Sequence, residues 1–282
     1  MSTLQPRAAL LTLYGDYGLQ IPNGEIGIGS LIELLSNFGL SEQAIRSAIS
    51  RMCRSGFLKV RRAGSKSYYS LTKEGFGLLE TGKQRIFDRK QNNWNDRWTI
   101  VTYSIPEQKR EIRNQLRQEL SWLGFGPLSE ATWITPNELS MQVEVITRRL
   151  RIKEYVQVFE ARHYSLTDPQ NIVSRCWDLK RLHKKYGDFI ANYRPKLDDF
   201  KSRLDSDGSV NPAECFVERF ELIHEYRRFP FFDPDLPVEL LPKDWLRVEA
   251  AEIFHKYHGL LTEKAFEYFE SVAKNYRDYR RT

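Results

Sequence analysis

Between Ser30 and Leu71 the turn-forming residues fall at spacings that leave the chain few choices. Ser30 stands before an apolar set, Leu31, Leu34, Leu35 and Phe38, which predicts a short helix ended by Gly39. Leu40 leads into Ser41, a good N-cap for a second helix from about Glu42 to Ser55, stopped by Gly56. Phe57-Leu58-Lys59-Val60 and Tyr68-Tyr69-Ser70-Leu71 read as two strands joined by a tip containing Ala63-Gly64-Ser65. Upstream, Pro6 to Tyr14 reads as a helix with Leu10, Leu11 and Leu13 as its apolar contacts. Gly15 to Gly29 is broken by Gly15, Gly18, Pro22, Gly24, Gly27 and Gly29 and reads as a loop. Thr72 opens a further helix that ends in the basic segment Arg85 to Lys90. Helix, short glycine turn, helix and hairpin is the order of a winged helix-turn-helix.

The second of the paired helices has two unlike faces. At about 100° per residue, Ile45, Ala48, Ile49 and Met52 fall on one side. Gln43, Arg46, Ser47, Ser50, Arg51 and Arg54 fall on the other, with no acid among them. That is chemistry for phosphates and base edges, since Arg can pair with guanine and Gln with adenine. Charge points the same way. The first 90 residues hold 13 Lys and Arg against 7 Asp and Glu, whereas 91–170 and 171–282 are each balanced. From Ser41 to Lys73 eight bases meet one acid, Glu42. This end of the chain either meets a polyanion or is a solvated basic face. Arg61, Arg62 and Lys66 flank the hairpin tip with the same sign, and Tyr68 and Tyr69 alternate faces as in any hairpin.

Length then sets the rest. At 282 residues the chain suits two or three domains, and 41% hydrophobic with 13% aromatic residues excludes wholesale disorder. We expect domains at 1–90, 91–168 and 169–282. In the middle one, Thr99–Tyr103, Thr132-Trp133-Ile134 and Tyr155–Ala161 read as three strands, with a charged helix from Glu107 to Trp122. Leu139–Arg151 mixes strand-like and helix-like pieces. The order suggests a small α+β domain of ferredoxin-like type. The last part reads as helices over Asn171–Ala191, Pro212–Arg228, Asp244–Tyr257 and Leu261–Tyr279, with a break at Gly208. Phe229 to Lys243 holds Pro230, Pro234, Pro237 and Pro242 and reads as a stiff loop. Phe216, Phe220, Tyr226, Phe254, Phe266 and Phe269 recur at helical spacing, as a core or a helix-pairing interface does, and a dimer seam is one expectation for them.

No apolar run approaches the roughly 20 residues that span a bilayer, and Met1–Arg7 lacks the features of a signal peptide, so a soluble cytoplasmic protein is expected. Cys53, Cys176 and Cys215 lie too far apart for a disulfide framework or zinc ribbon. Cys53 reads as a small buried filler rather than a redox switch. Glu252, His255 and His258 share one helical face, more in keeping with a solvated helix than with a metal site. No phosphate-binding glycine loop, Gly-x-Ser-x-Gly elbow or His-Glu-x-x-His stretch is present. We therefore expect no catalytic residues, no metal and no resident cofactor.

The stretches Leu13-Tyr14-Gly15-Asp16-Tyr17-Gly18, Phe38–Met52, Ser67–Thr72, Tyr103–Glu107, Trp122–Gly126 and Arg228–Pro237, in this order, resemble the PaaX family of transcriptional repressors, which control phenylacetate catabolism in bacteria. The resemblance implies a winged helix, a middle domain like that of Cas2 nucleases and a helical C-terminal domain. It also implies a homodimer on a double-stranded operator, and phenylacetyl-CoA or another acyl-CoA as effector. A nuclease is the competing reading. In Cas2-like enzymes the first strand ends in a metal-binding aspartate, but here the stretch reads Tyr103-Ser104-Ile105, and serine supplies no anionic oxygen.

On this basis Gln43, Arg46, Ser47 and Ser50 are expected at base edges, and Arg51, Arg54, Arg61, Arg62 and Lys66 on phosphates. An acyl-CoA needs cations for its phosphates and an apolar slot for its acyl group. Arg227, Arg228 and Phe231, with Trp245 close behind, offer both. The alternative is a packing loop that pairs its arginines with Asp233 or Asp235.

Overall fold

The computed structural model describes residues 4–21, 24–87, 93–164, 168–206 and 210–273. Eleven helices and seven strands run through these residues as α1 (Pro6–Asp16), β1 (Ile26–Gly27), α2 (Ile28–Ser36), α3 (Glu42–Arg54), β2 (Leu58–Ala63), β3 (Lys66–Leu71), α4 (Lys73–Phe87), β4 (Arg97–Tyr103), α5 (Arg110–Trp122), β5 (Gly126–Ser129), β6 (Thr132–Thr135), α6 (Ser140–Arg149), β7 (Val156–Arg162), α7 (Pro169–Cys176), α8 (Leu179–Ser206), α9 (Pro212–Tyr226), α10 (Phe229–Phe232) and α11 (Arg247–Val272). Short 3₁₀ turns punctuate them. None of the described helices is long and apolar enough to cross a membrane.

The described residues form two compact units, each discontinuous in sequence. The first takes Met1–Arg89, Ile190–Arg227 and Ala251–Thr282; the second takes Lys90–Phe189 and Arg228–Ala250. Helices α8 and α11 contribute to both.

In the first unit, β1, β3 and β2 form an antiparallel sheet in that order. The hairpin turns at Gly64, whose φ of +60° suits glycine, and Ala63 pairs with Lys66 across the turn. The sequence reading of Gly15–Gly29 as a loop is corrected here: Ile26 pairs with Tyr69 and Gly27 with Tyr68, a third strand too short to show a pattern. Ser30 is not a cap either. It sits inside α2, and its hydroxyl donates to the Val272 carbonyl 2.9 Å away, so the helix begins earlier than its polar residue suggests.

The C-terminal helices close the core of this unit. Phe216, Phe220, Tyr226, Phe254 and Phe269 are buried; all but Tyr226, which stacks on Phe254, meet rings of the N-terminal segment. Tyr17 lies 4.8 Å from both Phe266 and Phe269, and Phe38 lies 4.0 Å from Phe220. The expectation that these aromatics form a dimer seam is thereby corrected, because the same chain already covers them. Two helical boundaries also move. The expected break between Tyr257 and Leu261 is absent: α11 runs through Gly259, because buried Tyr257 and Leu261 on either side anchor it against that residue's weak propensity. Likewise α8 passes through Pro195, held by buried Tyr193 and Leu197.

The second unit is built on a four-stranded antiparallel sheet in the order β5-β6-β4-β7. Three strands were expected; β5 was missed because Pro127 and a register shift between Pro127 and Ser129 hide its alternation. Leu139–Arg151 resolves into α6. One sheet face buries Val101, Tyr103 and Val156 with Leu116 and Leu120 of α5 and Val143 and Ile146 of α6. The other packs Trp98 and Ile134 against Val173 and Cys176 of α7 and against Leu236, Leu240 and Leu241. The single helix expected over Asn171–Ala191 breaks at Trp177, where the backbone is extended. The Trp177 indole donates to the Gly124 carbonyl at 3.1 Å, and Asp178 then accepts from the Arg181 N–H to restart the chain as α8. The supposed loop from Phe229 holds the short α10. Pro22, Arg89, Lys90 and Gly208, together with Lys274–Tyr279 of the last expected helix, lie outside the described residues.

Candidate nucleic-acid interface

Helix α3 forms where its ends can be satisfied. The Ser41 side chain accepts the Ala44 N–H at 3.3 Å, and Gly56, at φ +72°, carries the chain out of the helix. Ile45, Ala48, Ile49 and Met52 are buried, the set that the spacing predicted. Full burial of each larger member favours this orientation by about 1.5–3 kcal/mol. The opposite face therefore points outward, and Gln43, Arg46, Ser47, Ser50, Arg51 and Arg54 are all exposed. Behind α3, α1 contributes buried Leu10, Leu13 and Tyr14, and the Tyr14 hydroxyl donates to the Tyr69 carbonyl at 2.9 Å, tying helix to hairpin. Thr72 bonds the Gly56 carbonyl at 2.6 Å and accepts the Gly75 N–H at 3.0 Å, which fixes where the hairpin hands over to α4.

Two acids that the sequence reading did not connect to this surface condition it. Glu42 holds the Arg46 guanidinium at 2.7 Å along one helix turn, both side chains about half exposed. Glu25 grips Arg61 in a fork, with Nε 2.9 Å from Oε1 and Nη2 2.7 Å from Oε2, while the guanidinium carbon lies 4.7 Å over the Tyr68 ring. The Arg61 hydrogen bonds hold the Glu25 carboxyl below the usual range, outweighing the effect of its partial burial. Arg61 thus stands beside the tip but is engaged locally. Arg62 and Lys66 are exposed and make no ion pair among the described residues. Cys53, on α3, is half-buried, and burial raises its thiol above the ordinary range.

A buried polar network lies at the end of α1. Asp16 meets Arg219 of α9 through two hydrogen bonds, 2.7 Å to Nε and 2.9 Å to Nη2, with both side chains almost fully buried. His258 of α11 lies with Nε2 3.1 Å from the same carboxylate, and Arg219 also donates to the His258 carbonyl at 3.0 Å and to the Thr262 hydroxyl. Burial alone pushes the Asp16 carboxyl up, but Arg219 and then His258 outweigh it and hold the group below its ordinary range. His258, one of three residues with metal-ligand spacing, therefore serves this network, and Glu252 lies near Lys256 instead.

Of the residues expected around an effector, Arg227 belongs to the first unit and Arg228, Phe231 and Trp245 to the second. Arg227, at the end of α9, donates to the Ala8 carbonyl at 3.2 Å. Arg228 is exposed, its guanidinium carbon 6.0 Å from the Phe232 ring, and Phe231 is about half exposed on α10. Trp245 stands edge-on to Tyr186 at 5.8 Å, its indole N–H buried without a partner among the described residues. Asp233 accepts from the Tyr186 hydroxyl at 2.6 Å, and Asp235 pairs with Arg247 at 2.9 Å. Ser104 follows β4 directly, its N–H bonded to the Tyr155 carbonyl at 2.9 Å.

Comparison with known proteins covers nearly the whole chain. Residues 5–75 match the model of PaaX-like proteins, residues 91–173 the PaaX central Cas2-like domain and residues 177–271 the PaaX-like C-terminal domain. Over 237 residues the chain is 32% identical to the transcriptional repressor PaaX of Escherichia coli, covering 83% of this chain and 73% of that protein. Among solved structures it is similar to the uncharacterized protein Rv0674 of Mycobacterium tuberculosis, with a TM-score of 0.53 and 21% identity, covering 98% of this chain and all of the other. With three matching segments in the same order and this level of identity, the chain belongs to the PaaX family.

Proposed function

We propose that the chain is a DNA-binding transcriptional repressor and not an enzyme, and that its N-terminal part works as a winged helix-turn-helix. The observation that carries this is the outward face of α3. Six polar or basic side chains are exposed there over a fully apolar buried face, and the one acid, Glu42, is itself paired with Arg46. The family relationship to a repressor supports the same reading. In this role α3 enters the major groove, with Gln43, Arg46, Ser47 and Ser50 at base edges. Arg51, Arg54, Arg62 and Lys66 hold phosphates, and Arg61 joins them when DNA competes with Glu25. A homodimer places two such helices on an inverted repeat and blocks a promoter of an aromatic-acid, phenylacetate-type operon. An aryl- or acyl-CoA releases it by favouring an arrangement that no longer fits the operator. Arg228, Phe231 and Trp245 remain candidates for that ligand, whereas Arg227 already bonds Ala8.

The test is fluorescence anisotropy on labelled promoter fragments, with and without phenylacetyl-CoA. Arg46→Ala should cost about 1–3 kcal/mol on the operator and little on random DNA. Arg62→Ala should weaken both and flatten the salt dependence by about one unit. Equal losses on both DNAs for Arg46→Ala would remove it from the residues that read sequence. Metal-dependent DNA cleavage abolished by mutation of β4 would restore the nuclease reading against Ser104.

A further inference from the structure

We infer that Arg181, Lys185 and Arg228 form a binding site for the phosphates of a nucleotide-bearing small molecule, with Phe232 as its aromatic wall. The inference rests on the effector reading above only for the acyl part of that molecule; the phosphate site stands on its own residues.

The three cations converge. Lys185 sits one turn after Arg181 on α8, its ammonium 3.6 Å from the Phe232 ring centre, and the Arg228 guanidinium lies 6.0 Å from the same ring. None of the three makes an ion pair among the described residues, although their neighbour Lys184 pairs with Asp188 at 3.1 Å. Elsewhere in this unit Arg97, Arg113, Arg148 and Arg149 each have a carboxylate partner. Like charges gathered without an acid repel one another, and the arrangement is relieved by an anion of more than one charge. The Lys185 amine bears this out: burial and then the charges of Arg181 and Arg228 hold it below its ordinary range. Two guanidinium forks and one ammonium match a diphosphate or a pair of phosphomonoesters, because Arg binds phosphate oxygens in pairs and Lys as a point charge.

The scaffold beneath is fixed. Phe229 is buried and stacks flat on Tyr186 of α8 at 4.2 Å, and Asp233 accepts from the Tyr186 hydroxyl. Beyond α10, Asn137 donates to the Asp235 carbonyl at 3.1 Å. The chain around α10 is therefore held against α8, and Arg228 and the Phe232 ring are presented in one place. Phe231 and Phe232 are about half exposed, at 53% and 49%. A half-exposed ring beside cations is a platform for a flat base, whose stacking adds to the phosphate contacts.

The probe is adenosine 3′,5′-bisphosphate, with free CoA beside it, titrated calorimetrically into the full chain at low salt. Wild type should bind both, and the triple change Arg181→Ala, Lys185→Ala and Arg228→Ala should weaken both at least tenfold while operator affinity stays within twofold. Arg228→Ala alone should lose part of the affinity, which covers the case in which the triple variant does not fold. No binding of the bisphosphate to wild type, or equal binding to wild type and variants, would overturn the inference. So would a loss of operator affinity in the triple variant without bisphosphate binding, which would make the cluster a DNA contact. If the bisphosphate binds at the cluster but phenylacetyl-CoA leaves the operator complex intact, the effector reading fails and the phosphate site stands.

Discussion

Replacing Arg219 by alanine should unfold more than its neighbourhood. The change leaves the Asp16 carboxylate buried, with only His258 still facing it. Removing one partner of a buried ion pair costs about 3–5 kcal/mol, because the remaining charge stays away from water. For a unit of this size that lowers the midpoint of thermal unfolding by about 6–20 °C. Asp16 ends α1, which packs beneath α3, so operator binding should fall at temperatures where the unit loosens. The companion variant Asp16→Leu with Arg219→Met removes both charges and should recover most of the lost stability, since apolar replacement of a buried pair is often neutral. The pH dependence follows from the depressed Asp16 carboxyl: its contribution is present above the ordinary aspartate range, near 3.9, and is lost as pH falls through the lower folded value. Arg219→Ala should remove that part of the acid dependence. The assays are circular dichroism melts and anisotropy on the same samples. A loss below about 1 kcal/mol for Arg219→Ala, or a double variant as unstable as the single one, would refute the reasoning.

Gly75→Ala places a methyl group 2.3 Å from the Phe57 carbonyl oxygen, which cannot yield without moving the hairpin, and should cost about 1–3 kcal/mol in chemical denaturation. Gly124→Ala combines a φ of +95° with a 2.7 Å approach to the Pro234 carbonyl and should destabilise the second unit, seen in the emission of Trp98 and Trp133, while the first unit's melt holds. Glu25→Gln loosens the fork on Arg61 and should tighten binding to random DNA, with a salt slope steeper by about one unit. A chain cut after Asp168 loses Phe216, Phe220, Phe266 and Phe269 from around Tyr17 and Phe38; its N-terminal part should melt without cooperativity rather than persist as a folded half-site binder.

What the sequence made legible was local. Gly39, Ser41 and Gly56 bound α3 through rules that act within four residues, and the burial of Ile45, Ala48, Ile49 and Met52 follows from helical spacing alone. β1 was lost because two residues carry no periodicity, and the break at Trp177 because its cause is a hydrogen bond to Gly124, 53 positions away. In the other direction, α8 continues through Pro195 and α11 through Gly259, since tertiary packing outweighs the local cost of those residues. The exposure of every residue expected on DNA was legible; the engagement of Arg61 was not. Glu42 is one turn from Arg46 and within reach of an i, i+4 reading. Glu25 is 36 positions from Arg61, and Asp16 is 203 from Arg219, so no pattern in the chain announces either.

Helix α8 supplies residues to both units: Arg181 and Lys185 at one end, buried Tyr193, Leu197 and Phe200 toward the other. In the repressor reading, a ligand on the first half changes operator affinity only by the amount it prefers one arrangement of the chain over another. A hundredfold loss of operator affinity requires a preference of about 2.7 kcal/mol. One or two hydrogen bonds between a guanidinium and a phosphate, at about 1.5–3 kcal/mol each, supply that if they form in only one arrangement. Arg228, on an exposed turn beside Phe232, and Arg181, on the helix itself, are placed to make such bonds. The aromatic wall then contributes affinity to either arrangement, and the discrimination falls to the cations. It follows that changing Phe232 should shift the ligand concentration needed for release, whereas changing Arg228 should also lower the maximal release that saturating ligand can reach.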